Sequence, residues 1–551
     1  MTRPSAGPAG PVLLGVAGAA GLIAAVTILA RITGFGRILA FSRTVGQTCL
    51  GDTYQTVNTV PNIVFEIVAG GALASLVVPL LARAVNDGDQ ERASRISSAL
   101  LTWSVLLLTP MAVAVAVFAE QISELLLGSK GCAGAVEVGA SMLRVFAPQV
   151  VLYGVGIVLT GVLHAHRKFG GAALAPLLSS LVVIAAYLFF GQRTPSGTDV
   201  GTLDRTAELI LSVGTTLGVV TLALSLALPL ARLGLRLRPT LRFPDGVAGR
   251  ARRLAAAGVA ALIAQQISVA VALLLGNGAG VPAGSVTVFT YAQTIYLLPW
   301  AVFAVPIAMS VFPRLADRWD AADVSSYSRL LSGATRAVTL TALLAAAVLI
   351  AAAEPIARIV VESAPGRPSV STLAAGITAF APGLLGYGLF ALLSRALYAR
   401  GEARSTAIAC VAGWLAVVVA DVVLAVRLPP QDRVLVLAVG NSVGMTLLGV
   451  ALLGVVIRRA GGQSLAGLAR TAGAGLLGAV VAGIAGRVIA DVLDAPGILA
   501  AVWATAAVTL CVVVLFGVMM VVTARSEVRA AMSVLNRGRA HQAAAAEKEV
   551  R

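Results

Sequence analysis

The sequence predicts an all-α polytopic membrane protein, on three observations. Of its 551 residues, 58% are hydrophobic and only 12% are charged, whereas soluble proteins carry about 25% charged residues. The mean hydropathy is +0.92. Apolar runs of about 20 residues, which cross a bilayer core of ~30 Å at ~1.5 Å per residue, recur along the whole chain. This composition excludes a soluble enzyme and a disordered regulator, and it argues against a nucleic-acid partner despite the net charge of +16.

About fourteen transmembrane helices are predicted, separated by breaks rich in Pro, Gly and Arg. They cover residues 12–41, 54–82, 96–118, 136–163, 172–190, 207–231, 254–275, 285–312, 330–353, 373–398, 405–426, 434–457, 467–486 and 497–523. Because the number of spans is even, both termini lie on the same side of the membrane.

The distribution of basic side chains tests this assignment of spans. With these spans, 27 of the 41 lysines and arginines fall on the side that holds the termini, nine fall in the opposite loops, and five lie within or at the ends of helices. Cytoplasmic loops carry an excess of Lys and Arg. Both termini are therefore predicted to be cytoplasmic.

Two pairs of similar segments indicate an internal repeat. The segment LHAHRKFGGAALA from Leu163 resembles LYARGEARSTAIA from Leu397, and VPLLAR around Pro79 resembles FPRLAD around Pro313, each at an offset of 234 residues. Each motif ends the equivalent helix on the same side, so the repeat is parallel and predicts two pseudo-symmetric six-helix lobes plus two extra C-terminal helices. The predicted parts are an N-lobe over 1–235, a cytoplasmic basic linker over 236–253, a C-lobe over 254–460, helices 13 and 14 over 461–523, and a cytoplasmic tail over 524–551.

Two arginines lie inside the first span, in the segment Arg31-ITGFG-Arg37. In a straight helix they would be about 9 Å apart along the axis and about 240° apart around it. Gly34 and Gly36 lie between them, and glycine permits an unwound or bent turn that would direct both guanidiniums into one cavity. We therefore expect the pair to bind a phosphate-like group of a substrate. The alternatives are an ion pair with an internal carboxylate, or extension of the side chains to the membrane interface.

The second span carries several polar residues around Pro61. Asn62 and Glu66 are predicted to line the substrate site, with Glu66 as the partner of Arg31 or Arg37. Asp52, near the outer end, is predicted either as a gate residue in an ion pair or as a cap of its own helix.

Three further residues are assigned more simply. Arg83, at the other end of the second span, is a second candidate gate residue, and Asp421 and Asn441 in helices 11 and 12 form a candidate cation or proton site.

Enzyme chemistry has no support in the sequence. There is no Ser-His-Asp set, HExxH, Walker loop or placed GxGxxG motif, so no cofactor and no metal site are predicted. The four cysteines show no CxxC spacing. Cys49 and Cys132 both fall in outer loops, where a disulfide can form in an oxidising compartment, but we expect two free thiols.

The residues also resemble a known family. The segment Arg31-ITGFG-Arg37, followed by GDTYQTVNTVPNIVFEIVAGGALASLVVPLLARA over 51–84, resembles the opening signature of the MurJ/MviN lipid II flippases of the MOP exporter superfamily. The segments 161–176, 312–318 and 394–407 agree with it. In this resemblance Arg31, Arg37 and Asp52 match family positions. The chain departs from many members at Phe65, Glu66, Gly70 and Thr294, and it is expected to lack the kinase-like extension of some actinobacterial members.

The resemblance implies a transporter rather than an enzyme. It implies a central cavity, a groove for a lipid tail at helices 13 and 14, and translocation of the lipid-linked peptidoglycan precursor, lipid II, across a bacterial plasma membrane by alternating access. Because no nucleotide site is present, we expect coupling to the membrane potential or an ion gradient. Cell-wall synthesis or division proteins are candidate partners. The alternatives are an exporter of another polyprenyl-linked glycolipid or of drugs and, from another class, a membrane-embedded glycosyltransferase or polymerase.

Overall fold

The computed structural model describes residues 26, 29–67, 71–243, 247–362, 364–365, 369–493 and 496–523. Over these residues the chain is α-helical, with short turns between helices. The first helices are α1 (29–44), α2 (Cys49–Phe65), α3 (Gly71–Asn86), α4 (Gln90–Val117), α5 (Ala119–Leu127), α6 (Ala135–Phe146), α7 (Gln149–Ala165), α8 (Phe169–Arg193), α9 (Arg205–Ala231) and α10 (Val247–Gly276). They are followed by α11 (Ser285–Pro299), a π-helical turn (Trp300–Ala304), α12 (Val305–Asp320), α13 (Val324–Ala351), α14 (Ala353–Val361), α15 (Val370–Phe380), α16 (Gly383–Ala399), α17 (Ala403–Arg427), α18 (Arg433–Ala460), α19 (Leu468–Val492) and α20 (Ile498–Thr523).

Most of the predicted transmembrane helices are confirmed, but not the number of fourteen. Within the described residues, eleven helices are long and apolar enough to cross a membrane, or twelve if α15 and α16, which meet at a bend of 44°, form one span. The two that remain are the first and second predicted spans. The first begins before the described residues, and the second comprises α2 and α3, between which residues 68–70 lie outside the described part of the chain.

The helix bounds repeat with the offset that the sequence predicts. Five pairs of helices have the same length and begin 234 residues apart, namely α3 and α12, α4 and α13, α5 and α14, α7 and α16, and α8 and α17. Asp89 and Asp323, also 234 residues apart, cap the equivalent helices α4 and α13 through their carboxylates. The two halves therefore share one helical plan, which confirms the predicted pseudo-symmetry.

The repeat also explains the two described residues other than glycine that have positive φ angles. Ala322, with φ of 58°, is equivalent to Gly88, with φ of 71°. Arg167, with φ of 57°, is equivalent to Gly401, with φ of 77°. A left-handed turn favours glycine, so each half keeps the glycine in one turn and replaces it in the other.

Contacts divide the chain into two units. The first comprises residues 1–287 with 363–368, and the second comprises 288–362 with 369–551. Contacts thus place α10 in the first unit, where it packs against α3. The predicted lobe boundary at residue 254 derives from the repeat and stays a prediction.

Each unit has its own apolar core. In the first unit, α3, α4, α7 and α9 meet around side chains such as Leu81, Val162 and Leu163, none of which is exposed. In the second, α13 packs against α19 and α20 around Ala482 and Val512. Small residues allow these helices to approach closely, as is usual between membrane helices.

Candidate functional site

The two arginines of α1 lie on an uninterrupted helix. Residues 29–44 are helical throughout, and both Arg31 and Arg37 are exposed. The unwound turn predicted at Gly34 and Gly36 is therefore absent, because glycine permits a break but tertiary structure decides whether one forms. Six positions of a regular helix separate the two guanidiniums, so they do not share a face of α1.

Arg37 lies close to a cluster of tyrosines that was not predicted from the sequence. Its charge acts electrostatically on Tyr54, Tyr153 and Tyr187. The hydroxyls of Tyr54 and Tyr187 are 2.7 Å apart, and Tyr54 Oη is 2.6 Å from Thr215 Oγ1. Tyr54 and Tyr187 are buried. Their phenol groups are dipoles near the cation, so this cluster provides a polar environment for the guanidinium in an apolar helix.

Phe41 connects α1 to this tyrosine cluster. Its ring centroid lies 5.1 Å from that of Tyr54 and 5.1 Å from that of Tyr187. Phe41 follows Arg37 by one helical turn and therefore lies on the same side of α1. The aromatic contacts thus fix the rotation of α1 about its axis and, with it, the direction of Arg37.

The residues around Pro61 are placed differently from the prediction. Asn62 is exposed and Glu66 is half-buried. Helix α2 ends at Phe65, where the amide of Glu66 donates to the carbonyl oxygens of Asn62 and Ile63, and residues 66–67 continue as a π-helical turn. Among the described residues, no arginine nitrogen lies within 4 Å of the Glu66 carboxylate. The predicted ion pair of Glu66 with Arg31 or Arg37 is therefore not formed.

Asp52 is the most extensively bound carboxylate of the first unit. Its oxygens accept from the backbone amides of Gly284 (2.8 Å) and Thr287 (2.9 Å) and from Thr287 Oγ1 (3.0 Å). The Asp52 side chain therefore caps the start of α11, where the helix dipole favours a negative charge. The alternative, that Asp52 caps its own helix, is wrong, because Thr48 Oγ1 accepts from the Gly51 amide at the start of α2.

Lys130, which was not among the predicted site residues, is the counter-ion of Asp52. Its Nζ lies 2.9 Å from Asp52 Oδ2, and the two side chains are only 2% and 1% exposed. Lys130 also donates to the carbonyl oxygens of Gly276 (3.0 Å) and Pro282 (3.1 Å). We call Asp52, Lys130, Gly284 and Thr287 the Asp52 cluster; it joins α2, the loop after α5, and the connection between α10 and α11.

A disulfide lies beside the Asp52 cluster. Cys49 and Cys132 are bonded, with their Cα atoms 6.1 Å apart. The expectation of two free thiols is therefore wrong. Cys49 precedes Asp52 by one helical turn and Cys132 follows Lys130 by two residues, so the covalent bond and the ion pair join the same two segments.

Three predicted residues remain, Arg83 in the first unit and Asp421 and Asn441 in the second. Arg83 is exposed in the last turn of α3, and among the described residues no carboxylate lies within 4 Å of it. Asp421 on α17 is 1% exposed and Asn441 on α18 is 9% exposed, and within the described part of the chain Oδ1 of each has no hydrogen-bond partner. A Cβ on Gly440 would lie 1.8 Å from Asp421 Oδ1, so only glycine leaves room for that carboxylate.

An apolar cavity of about 530 Å³ lies in the second unit. It is lined by residues of α13, α16, α18 and α19, among them Leu343, Leu385, Leu389, Leu453 and Leu476. Its walls carry few polar atoms, so its chemistry suits an aliphatic chain rather than a headgroup.

Comparisons with known proteins give one consistent result. The family model described as "Lipid II flippase MurJ" matches residues 41–524. The chain is similar to a probable lipid II flippase MurJ of Rickettsia prowazekii, 23% identical over 65% of this chain and 68% of the relative. It is also similar to a lipid II flippase MurJ of Burkholderia cenocepacia, 24% identical over 66% of this chain and 69% of the relative.

Solved structures agree on the fold. A lipid II flippase MurJ in an inward closed conformation superposes with a TM-score of 0.72 at 18% identity, covering 92% of this chain and 99% of that one. An inward-facing multidrug resistance MATE transporter of the MOP superfamily gives a TM-score of 0.62 at 17% identity, covering 80% of this chain and 95% of that one.

Proposed function

The chain belongs to the lipid II flippase MurJ family, and we propose that it moves lipid II across the bacterial plasma membrane by alternating access, with the pyrophosphate bound by Arg31 and Arg37. It is a multi-span transporter and not an enzyme. The site assignment rests on Arg31 and Arg37, two exposed arginines within the apolar helix α1. Among the described residues, no carboxylate lies within 4 Å of either. An unpaired arginine in a membrane helix costs several kcal/mol, and an anionic substrate would offset that cost.

The straight helix modifies how the two arginines act. Since they do not share a face of α1 and lie about 9 Å apart along its axis, we infer that they contact the anion in succession or from two sides. Arg37 lies near the tyrosine cluster, whereas Arg31 lies six residues earlier on α1. The apolar cavity of the second unit is proposed to hold part of the polyprenyl tail.

The Asp52 cluster is proposed as the gate. It joins α2 to the connection that leads into α11, and all of its polar atoms named above are paired. Separating these segments would expose a buried ion pair and would leave the backbone amides at the start of α11 without their hydrogen-bond acceptor. The cluster therefore keeps the transport path closed at the outer end of α2 until substrate binding supplies the free energy to separate these segments. Arg83 lies at the end of α3, and this position supports only a role at the opposite membrane surface.

Both termini are proposed to be cytoplasmic. The excess of basic residues on their side supports this orientation. The disulfide agrees with this orientation, because such bonds persist in oxidising compartments and rarely in the cytosol, and the spans predicted from the sequence put the loops of Cys49 and Cys132 on the side opposite the termini. Coupling to a membrane potential or to an ion gradient at Asp421 and Asn441, and association with cell-wall synthesis or division proteins, stay predictions.

Transport by reconstituted protein tests the arginine assignment. In liposomes that contain labelled lipid II, Arg31→Ala and Arg37→Ala should each lower the translocation rate at least tenfold, because a hydrogen-bonded charge contributes about 1.5–3 kcal/mol. Arg43→Ala, an exposed arginine at the end of the same helix, is the matched control and should transport normally. If both single variants keep the parent rate, the assignment is wrong.

The substrate itself is tested by depletion of the protein in its host. Lipid II exposed on the outer leaflet should fall while the total pool rises. If exposure is unchanged and another polyprenyl-linked glycolipid accumulates inside, the substrate is that glycolipid and the fold assignment stands.

The ion site is tested by transport under imposed gradients. Asp421→Asn should remove the dependence of the rate on an ion gradient or on the membrane potential. Asp432→Asn, an exposed acid near the start of α18, should leave that dependence unchanged. A parent protein whose rate ignores every gradient would exclude the site.

A further inference from the structure

The segment that connects α9 to α10 lies along α4 in an unusual way. The amides of Arg236, Arg238 and Thr240 donate to the side-chain hydroxyls of Ser94 (3.2 Å), Ser98 (3.0 Å) and Thr102 (3.1 Å), respectively. Trp103 Nε1 donates to the carbonyl oxygen of Leu241 (3.0 Å). Residues 235–243, which we call the basic segment, are therefore held to one helix by a row of side-chain hydrogen bonds.

The spacing of these bonds shows that the basic segment is extended. The three hydroxyls are four residues apart on α4, which is about 6 Å per step. The three amides are two residues apart, so the segment advances about 3 Å per residue, close to the rise of a β-strand. Side chains of alternate residues in an extended chain point to the same side, which places Arg236, Arg238 and Arg242 together.

A cavity of about 820 Å³ lies between the basic segment and α4. Its lining residues include four arginines and three residues with hydroxyl groups, namely Arg95, Arg236, Arg238, Arg242, Ser94, Ser98 and Thr240. Glu91 is its one acidic lining residue among those described, and it lies 3.9 Å from Arg95 with both side chains largely exposed. Over the part of the chain that the structure describes, no carboxylate lies within 4 Å of Arg236, Arg238 or Arg242.

The basic segment is a fixed element of the first unit. Leu235 and Phe243, at its two ends, pack against the apolar core of that unit. Gly234, with φ of 69°, makes the turn from α9 into the segment. The arginines between these anchors are thus presented by a backbone that is already ordered, which lowers the entropic cost of binding a ligand.

We propose that this cavity binds a phosphate-bearing anion, separately from the transport site on α1. Three guanidiniums on one side of an extended chain, with no carboxylate partner in the described residues and with hydroxyl donors beside them, match the planar, bidentate recognition of phosphate. The phosphate belongs either to the headgroup of an anionic lipid in the adjacent leaflet or to a small soluble phosphate compound. The two sources share the same chemistry at the arginines and are separated by experiment.

The experiment uses the purified full-length chain and two probes. Pyrophosphate is titrated calorimetrically against the protein in nanodiscs of phosphatidylcholine alone, and native mass spectrometry counts phosphatidylglycerol adducts after the protein is exposed to a mixture of phosphatidylglycerol and phosphatidylcholine. The triple variant Arg236→Gln, Arg238→Gln, Arg242→Gln should lose binding of the true ligand class by about fivefold per arginine. The matched control, Arg314→Gln, Arg329→Gln, Arg404→Gln, removes the same charge from exposed positions outside the cavity and should bind like the parent.

A second variant, which is expected to raise the affinity, distinguishes a loss of binding from a loss of folding. Glu91→Gln removes the acidic lining residue from an exposed position and should tighten binding about fivefold. Loss of phosphatidylglycerol adducts alone identifies a lipid headgroup, and loss of pyrophosphate binding alone identifies a soluble ligand. The proposal is overturned if neither probe binds the parent, if the folded triple variant binds both as the parent does, or if Glu91→Gln leaves both affinities unchanged. None of these results depends on lipid II transport.

Discussion

Lys130 and Asp52 form an ion pair of 2.9 Å that is almost completely shielded from solvent. Two groups of opposite charge can be buried at tolerable cost only if each also finds further hydrogen bonds. Asp52 finds them at the start of α11, and Lys130 finds one at the carbonyl oxygen of the last residue of α10. Each charge therefore compensates both its partner and one helix terminus.

Removing one member of this pair should be costly. Lys130→Met should lower the free energy of unfolding by about 3 kcal/mol or more, because Asp52 would stay buried without its counter-ion. The double variant Asp52→Asn, Lys130→Met should lose less than the sum of the two single variants. Unfolding of the purified protein measures all three. Arg95→Met, which breaks an exposed pair with Glu91, should cost less than about 1 kcal/mol; equal losses would contradict the shielding argument.

The disulfide should stabilise the same region. It closes a loop over a separation of 83 residues, and a cross-link of that length contributes about 2–4 kcal/mol, chiefly through the unfolded chain. A reducing agent should therefore lower the melting temperature of the parent but not that of Cys49→Ala, Cys132→Ala. Cys410→Ala, which removes a free thiol, should keep the sensitivity to reduction. A parent that melts identically in both conditions would show that the bond is absent in solution.

The left-handed turns give a prediction in two directions. Ala322→Gly should stabilise the protein by about 1 kcal/mol, because the turn at φ of 58° is strained for a side chain. Gly88→Ala, at the equivalent turn of the other half, should destabilise it by a similar amount. No atom lies within 4 Å of the position that a Cβ on Gly88 would take, so the effect there is conformational rather than steric. Melting temperatures of the two variants measure both changes, and shifts of the same sign would contradict the prediction.

The cap of α13 predicts a pH dependence. Hydrogen bonds from the Ser326 amide, and from the hydroxyl groups of Ser326 and Ser325, lower the pKa of Asp323 to about 2 from its usual 3.8. A carboxyl with a lowered pKa in the folded state contributes stability that is present above the unfolded value and is lost as the pH falls towards the folded one. Between about pH 5 and pH 2, Asp323→Asn should therefore lose less melting temperature than the parent. Parallel curves for the two proteins would disprove the prediction.

The fold followed from the sequence because its signals are local. Hydrophobic runs of the length of a bilayer predict helices, and two short matches at one offset predicted a repeat that the helix bounds then reproduced. The end of α2 at Phe65 was harder to predict, since the apolar run of the second span continues beyond that residue.

The candidate site was predicted in part, and its failures share a physical reason. Asp52 stood out because it lies beside the outer end of the second apolar span and matches a position of the family that the sequence resembles. Lys130 did not, since it lies in a loop where basic residues are ordinary, and its pairing with Asp52 spans 78 positions of sequence. The tyrosine cluster near Arg37 was missed because tyrosines in an apolar helix look like core residues until the fold brings their hydroxyls together.

The row of hydrogen bonds between α4 and the basic segment restricts the insertions and deletions that the segment can accept. Two extended residues match one helical step of four, so the pairing tolerates changes of length only in units of two residues on the segment. One added residue between Arg236 and Thr240 would turn the following arginine to the opposite side of the chain. Homologous chains that keep this arrangement should therefore differ in length freely on either side of the basic segment, but within it only by even numbers of residues.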